Sequence, residues 1–350
     1  MATSREMTEG RALPLIFNFT LPLLLGNLLQ QTYSLVDAAI VGKFLGINAL
    51  ASVGASTSVI FLILGFCNGC CGGFGIPVAQ KFGARDYITM RRYVAVSLQL
   101  AAVMSVVLAV VTSICCADIL RMMRTPDNIF TGAYYYLLVT FIGVPCTFFY
   151  NLLSSIIRAL GDSKTPFWFL LVVVALDMAL NPLLIFGWGP VPRMGIQGSA
   201  VATLIANAVS FAALLGWLRL RRHPLWIGRR QLGLFKPDLT IVRTLVVKGL
   251  PMGVQIVMIS LAMIAMISMV NEHGVQTASA YSAALQLWTY VQMPAMAMGA
   301  ACSSMAAQNV GAGLWKRVSA TAHAGMLGNL ALTGSLIVLI VLLDRHVLGW

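Results

Sequence analysis

The chain alternates long stretches that are free or nearly free of charge with short charged connectors. Apolar runs cover 13–42, 44–80, 93–117, 128–157, 165–192, 194–218, 249–271, 274–315 and 318–343. Crossing the hydrocarbon takes roughly 20 residues of helix. Each run is therefore long enough for one span, and the two longest hold a long helix plus a turn. None shows the alternation of a barrel strand, and in lipid every backbone group has to be satisfied within the protein. The pattern predicts an all-α polytopic membrane protein with nine transmembrane helices.

Polar residues within the runs are few and ordered. Asn27, Gln30, Ser34 and Asp37 recur at three- and four-residue steps, one stripe on a helix. Asp37 is the only charged residue between Leu13 and Gly42. A second acid, Asp177, lies near the middle of 165–192, with Asn181 one turn on. An acid at that depth costs roughly 2.5–3.5 kcal/mol on insertion scales, and such groups face a bundle interior or watery cavity. Two of them have to be partnered, hydrated or protonated, and an Asp37–Asp177 pair is expected to bind and release a proton. Asn181, Asn151 and Thr203 complete the candidate coupling set. Asn27, Gln30, Tyr33 and Ser34 are candidates to line the cavity, and Pro22 and Gly26 are candidates for a bend in the first helix.

Composition agrees: 59% apolar, 10% charged and a mean hydropathy of +0.86 exclude a soluble domain. Of the 23 Lys and Arg, 18 fall in loops on the side of the N-terminus, which the positive-inside rule makes cytoplasmic. The net charge of +12 then reflects topology and contact with membrane lipids, not nucleic acid. Trp188, Trp217, Trp226, Trp315 and the Tyr134–Tyr136 triplet are assigned to aromatic belts. No small-residue cleavage site follows a short apolar core, so the first segment is expected to stay as an anchor. The CxxC within Cys67–Cys71 has no second pair or nearby His, so no metal site or cofactor is expected. The glycines from Gly65 to Gly75 are read as close helix packing. Ten of the 18 Met lie between Met252 and Met326, and Met263 and Met266, with Gln255, are candidates for an adaptable cavity wall. The runs hold acids but no Lys or Arg, so a cavity among them is expected to favour small organic cations.

The chain also repeats itself. Gly46 and Gly274, Ala79-Gln80 and Ala307-Gln308, and Gly83-Ala84 and Gly311-Ala312 recur at an offset of 228. Leu21-Pro22 and Leu250-Pro251 recur at 229. Six helices separate the copies, which makes them parallel repeats about an axis along the membrane normal. The organisation expected is a six-helix N-terminal lobe (1–222), a basic cytoplasmic linker (223–248) and a partial C-terminal lobe (249–350) with three of six helices. The chain reads as a fragment of a twelve-helix protein.

Several stretches resemble the multidrug and toxic compound extrusion (MATE) transporters. Val36–Gly42 is similar to the family's first-helix signature, and Arg158–Pro166 to its loop after helix four. Leu180–Gly187 and Gly195–Thr203 resemble its fifth and sixth helices; Gly249–Pro251 and Gln308–Gly313 resemble its second lobe. The resemblance implies two lobes, alternating access and export of organic cations in exchange for protons or sodium. Asp177 and Asn181 stand in swapped order relative to many members but share a helix face. Sodium-using relatives can place an acid where this chain has Gln255, so protons are the expected coupling ion. A monomer in the bacterial cytoplasmic membrane, N-terminus inside, is expected. The alternative is a related flippase of lipid-linked precursors, which should carry basic residues for phosphates. An intramembrane enzyme would want a His, Ser or metal constellation at depth, and the runs supply none.

Overall fold

The structure is a computed structural model that describes residues 7–123, 125–187, 192–226, 233, 235 and 238–342. The secondary structure of these residues is helical throughout. In chain order the helices are α1 (Ala12–Leu45), α2 (Ile47–Gly83), α3 (Tyr87–Ile114), α4 (Cys116–Met122) and α5 (Asp127–Ala159). They continue with α6 (Lys164–Phe186), α7 (Ile196–Leu220), α8 (Leu239–Asn271), α9 (Val275–Gly311) and α10 (Trp315–Leu342). The shortest of the nine long helices, α6, has 23 residues, about 35 Å of rise, enough to cross a membrane. Eight of the nine are also apolar enough to do so; α9, with Gln276, Gln286 and Gln292, is the exception. The short α4 has no counterpart among the predicted spans.

Connector acids start the helices. Asp86 Oδ1 accepts from Thr89 N at 3.1 Å ahead of α3, and Asp238 Oδ1 accepts from Thr240 N at 3.0 Å ahead of α8. Asp162 does the same for α6, accepting from Lys164 N and Thr165 N at 3.0 Å and from Thr165 Oγ1 at 2.6 Å. Such caps satisfy amides that have no partner in the first turn. α8 begins at Leu239, inside the stretch read as linker. The start of that stretch is held against α3, through Arg91 Nε to Pro224 O at 2.7 Å and Gln99 Nε2 to Phe235 O at 2.6 Å.

The internal repeat is a structural one. α2 and α9 differ by 228 at both ends, as do α3 and α10. Gly46 and Gly274, at φ 87° and 94°, make the same sharp break before α2 and α9, a conformation open to glycine. Contacts between the halves are reciprocal. Gly83 lies against the backbone of Gln308, and Gly311 against the backbone of Gln80. α8 packs on α2 as α1 packs on α9, the arrangement expected of a pseudo-twofold axis. Glycines bring α2 and α8 together: Gly69 and Gly73 face Gly249, Met252 and Gly253 backbone to backbone. The principal core lies between α2, α3, α5 and α7, around Phe74, Phe141, Phe148, Leu152 and Ile156, with Cys67, Cys70 and Cys71 as packing residues.

Several of the aromatic residues assigned to belts also pack on the protein. Trp217 and Trp226 pack on that core, and the Trp217 ring lies 5.6 Å from the His223 ring, which the chain turns back over the end of α7 through His223 N to Leu218 O at 3.0 Å. Tyr134 also packs on the core, and of the triplet only Tyr135 is exposed. Trp188 lies outside the described residues.

Candidate functional site

α1 and α6 run side by side in the same direction, and the two membrane acids sit between them. Asn181 donates its side-chain amide to Asp37, and Tyr33 donates its hydroxyl to Asp177. In both pairs the partners are 144 residues apart, so the pairs are two rungs of one ladder, one helical turn apart. α7 supplies the third side. Ser199 Oγ lies 3.2 Å from Asp37 Oδ1, and Thr203 Oγ1 donates to Asp177 Oδ2 at 3.0 Å. Asp177 and Asn181 are each 1% exposed.

The acids therefore do not bond to each other, as a direct pair would require. The i, i+4 spacing on both helices matches each acid with a polar residue opposite, which keeps the carboxylates apart. Asp177 Oδ1 and Asn181 Oδ1 are buried without a hydrogen-bond partner among the described residues. An unsatisfied buried acceptor costs about 1–3 kcal/mol, which a proton or cation at this point would relieve.

The ladder opens into a cavity of about 270 Å³ enclosed by α1, α2, α5, α6 and α7. Asn27, Gln30 and Tyr33 line it, together with Pro22 and Gly26, the candidates for a bend, and Asn151, Asp177 and Thr203 of the candidate coupling set. Gly26 does so because its missing side chain admits α6: a Cβ there would meet Leu170 at 3.3 Å. Pro22 lies inside α1, which continues through it. Asn151 lies on α5, away from the acids, and bonds to neither.

Six candidates do not line this cavity: Asp37 and Asn181, one rung along the ladder from Asp177, and Ser34, Gln255, Met263 and Met266. Ser34 turns back to Gln30 O at 3.0 Å and is exposed. Gln255 and Met266 are exposed and Met263 half-buried, because α8 meets α2 through Gly249, Gly253 and Ile256 and points its Met face elsewhere.

Sequence reasoning missed three contributors. Ser199, inside the Gly195–Thr203 motif, is a partner of Asp37. Tyr136, assigned to a belt, lines the cavity within electrostatic reach of both acids. Most consequential is the inner face of α5: beside the candidate Asn151, residues Thr140, Gly143, Thr147, Tyr150, Ser154 and Arg158 all line the cavity. Their three- and four-residue spacing was visible, but Arg158 ended a charge-free run and was counted as loop. A cavity free of basic residues is thus overturned: α5 runs to Ala159 and carries Arg158 inside.

Membrane-length helices around a polar cavity, lined by one buried acid with a second, half-buried acid beside it, define a polytopic membrane transporter. Residues 22–183 and 251–349 match the MatE family model, and the chain belongs to that family. Probable multidrug resistance protein YoeA of Bacillus subtilis is 36% identical over 355 residues, covering 100% of this chain and 77% of that protein. Probable multidrug resistance protein YpnP of the same organism is 33% identical over 316 residues, covering 89% and 68%. A solved MOP superfamily transporter from Pyrococcus furiosus has the same fold, with a TM-score of 0.89 at 22% identity, covering 99% of this chain and 75% of that one. An outward-facing multidrug resistance MATE family transporter also matches at a TM-score of 0.89, covering 99% and 76%.

Proposed function

We propose that the chain serves secondary active multidrug efflux, exporting cationic amphipathic compounds by antiport with protons. The observation that carries this reading is the pair of orphaned oxygens, Asp177 Oδ1 and Asn181 Oδ1, one turn apart on α6, with Asp177 lining the cavity. A proton taken up by Asp177 supplies the missing donor and neutralises the acid; its loss restores a charge able to hold a cation. Proton and cargo thereby compete for one cluster, the condition for antiport. The family names of the relatives support drugs as cargo. Protons are favoured over sodium because Gln255 is neutral and the described acids of the second half, Asp238 and Glu272, lie at helix ends.

Alternating access draws support from where the two repeats touch. The Gly83–Gln308 and Gly311–Gln80 contacts close the end bearing the basic loops. Toward the other end α1, α8 and α9 carry exposed apolar residues such as Leu35, Met258 and Trp288. With the N-terminus inside a bacterial cytoplasmic membrane, the closed end is cytoplasmic. The test is efflux from vesicles carrying a pH gradient but no sodium; transport that answers to sodium alone would reverse the choice of ion.

A further inference from the structure

Arg158 sits where a ligand would meet it. Its half-buried side chain lines the floor of the cavity, one residue from the end of α5. It forms no hydrogen bond or ion pair with any described residue. The acid closest in sequence, Asp162, directs its oxygens to the start of α6. An arginine that anchored the helix at the membrane surface would extend toward headgroups; this one faces inward.

Its surroundings have spare donors and no spare charge. Ser154, one turn earlier on the same face, is 3% exposed and lines the cavity; its Oγ makes no close hydrogen bond among the described residues and has the Tyr150 hydroxyl as a polar neighbour. Asn151 and Asn207 continue the polar wall above it. A guanidinium presents five donors in a planar fork that matches the two oxygens of a carboxylate. At the other end, Asp177 lies 13 residues beyond Lys164 on α6, about 20 Å of helix rise. The cavity thus ends in opposite charges.

We propose that Arg158 and Ser154 form a subsite for the carboxylate of the cargo, so that the preferred cargo is dipolar, with its cationic end toward Asp177. The word cargo rests on the efflux reading; the subsite is a binding property and is testable without transport. The probes are a rhodamine carboxylic acid and its methyl ester, which differ only in the anionic group. Binding of each to the purified full chain in detergent is followed by fluorescence polarisation.

The acid should bind roughly tenfold tighter than the ester, the scale of a charge-assisted hydrogen bond. Arg158→Gln should bring the acid down to the affinity of the ester and leave the ester unchanged. Arg158→Lys, with charge but no fork, should fall between. Should Arg158→Gln fail to fold, Ser154→Ala carries the same comparison with a smaller loss for the acid alone. Equal binding of acid and ester, failure of the acid to bind, or an equal loss of both in the variants overturns the subsite. Arg158-dependent displacement of the acid by phosphatidylglycerol would reassign the anion to a lipid headgroup and likewise overturn it. A chain that binds the acid through Arg158 but moves neither dye across vesicles keeps the subsite and sinks the efflux reading.

Discussion

Tyr33 on α1 donates its hydroxyl to Asp177 on α6, and one turn along the same two helices Asn181 returns the favour to Asp37. The two acids are held by different partners yet belong to one ladder between α1 and α6, so losing either should disable coupling without dismantling the bundle. Asp37→Asn and Asp177→Asn should each abolish proton-coupled efflux while inserting normally, since removing a membrane carboxylate lowers the insertion cost. Tyr33→Phe removes one donor and leaves the acid, so a partial loss is expected, roughly tenfold in rate. The measurement is drug-driven proton release at matched expression. Full coupling in either Asn variant would make that acid a staple between helices.

This ladder shows what the sequence could and could not tell. Asp37, Asp177 and Asn181 were legible because an acid in an apolar run is costly and i, i+4 spacing fixes a face. The cross-pairing was not, because it depends on the register of α1 against α6. Asp37 and Asp177 carry no sequence mark that says which neighbour each will meet. The repeat was legible from Gly46 and Gly274, whose positive φ admits few other residues. Arg158 was misjudged because helices outlast their apolar runs: α5 continues to Ala159 while the charge-free pattern stops at Ile157. The Met face of α8 misled because periodicity gives a stripe but not the direction it points.

Gly83 and Gly311 should be the least replaceable glycines of the junction. A Cβ at either would enter the backbone of Gln308 or Gln80, so Gly83→Ala and Gly311→Ala have to push α2 and α9 apart. Gly299→Ala is the control: it lies inside α9 with open space where the Cβ would go. The control, in the interior of α9, should gain up to about 1 kcal/mol from helix propensity, whereas Gly83→Ala and Gly311→Ala, at the last positions of α2 and α9, should lose stability. Thermal melting in detergent reads the sign; a stabilised Gly83→Ala would refute the tight junction.

Gln308 ties three segments at the same end. Its Oε1 accepts from Met7 N at 2.9 Å and its Nε2 donates to Ala159 O at 2.9 Å, and it is fully buried. Arg317 holds the same N-terminal stretch through Gly10 O at 2.9 Å. Gln308→Ala leaves a buried amide and a buried carbonyl unsatisfied, a loss of about 1–3 kcal/mol each at most. Hydrogen exchange should rise at residues 7–11 and at the end of α5, and stay unchanged around Asp37. Exchange that rises uniformly would mean general destabilisation instead of a local tie.

His223 should make this protein sensitive to acid at the start of the linker. It is 1% exposed, its Nδ1 accepts from Leu225 N at 3.3 Å, and its Nε2 is buried without a partner among the described residues. Burial pushes its pKa down to about 4, against the opposing pull of the Asp162 charge. The unfolded chain binds the proton near pH 6.5. Between pH 6.5 and about 4 the unfolded state therefore carries more protons, and stability falls as the pH drops through that window. At pH 4.5 the loss amounts to about 2–3 kcal/mol. Above pH 7 the group is neutral in both states and contributes no pH dependence. His223→Gln, which keeps an acceptor for Leu225 N but cannot titrate, should melt at nearly the same temperature as the native chain at pH 7.5. At pH 4.5 it should melt several degrees higher than the native chain. Parallel acid curves for the two proteins would show that His223 stays neutral throughout, or that the acid-labile groups lie elsewhere.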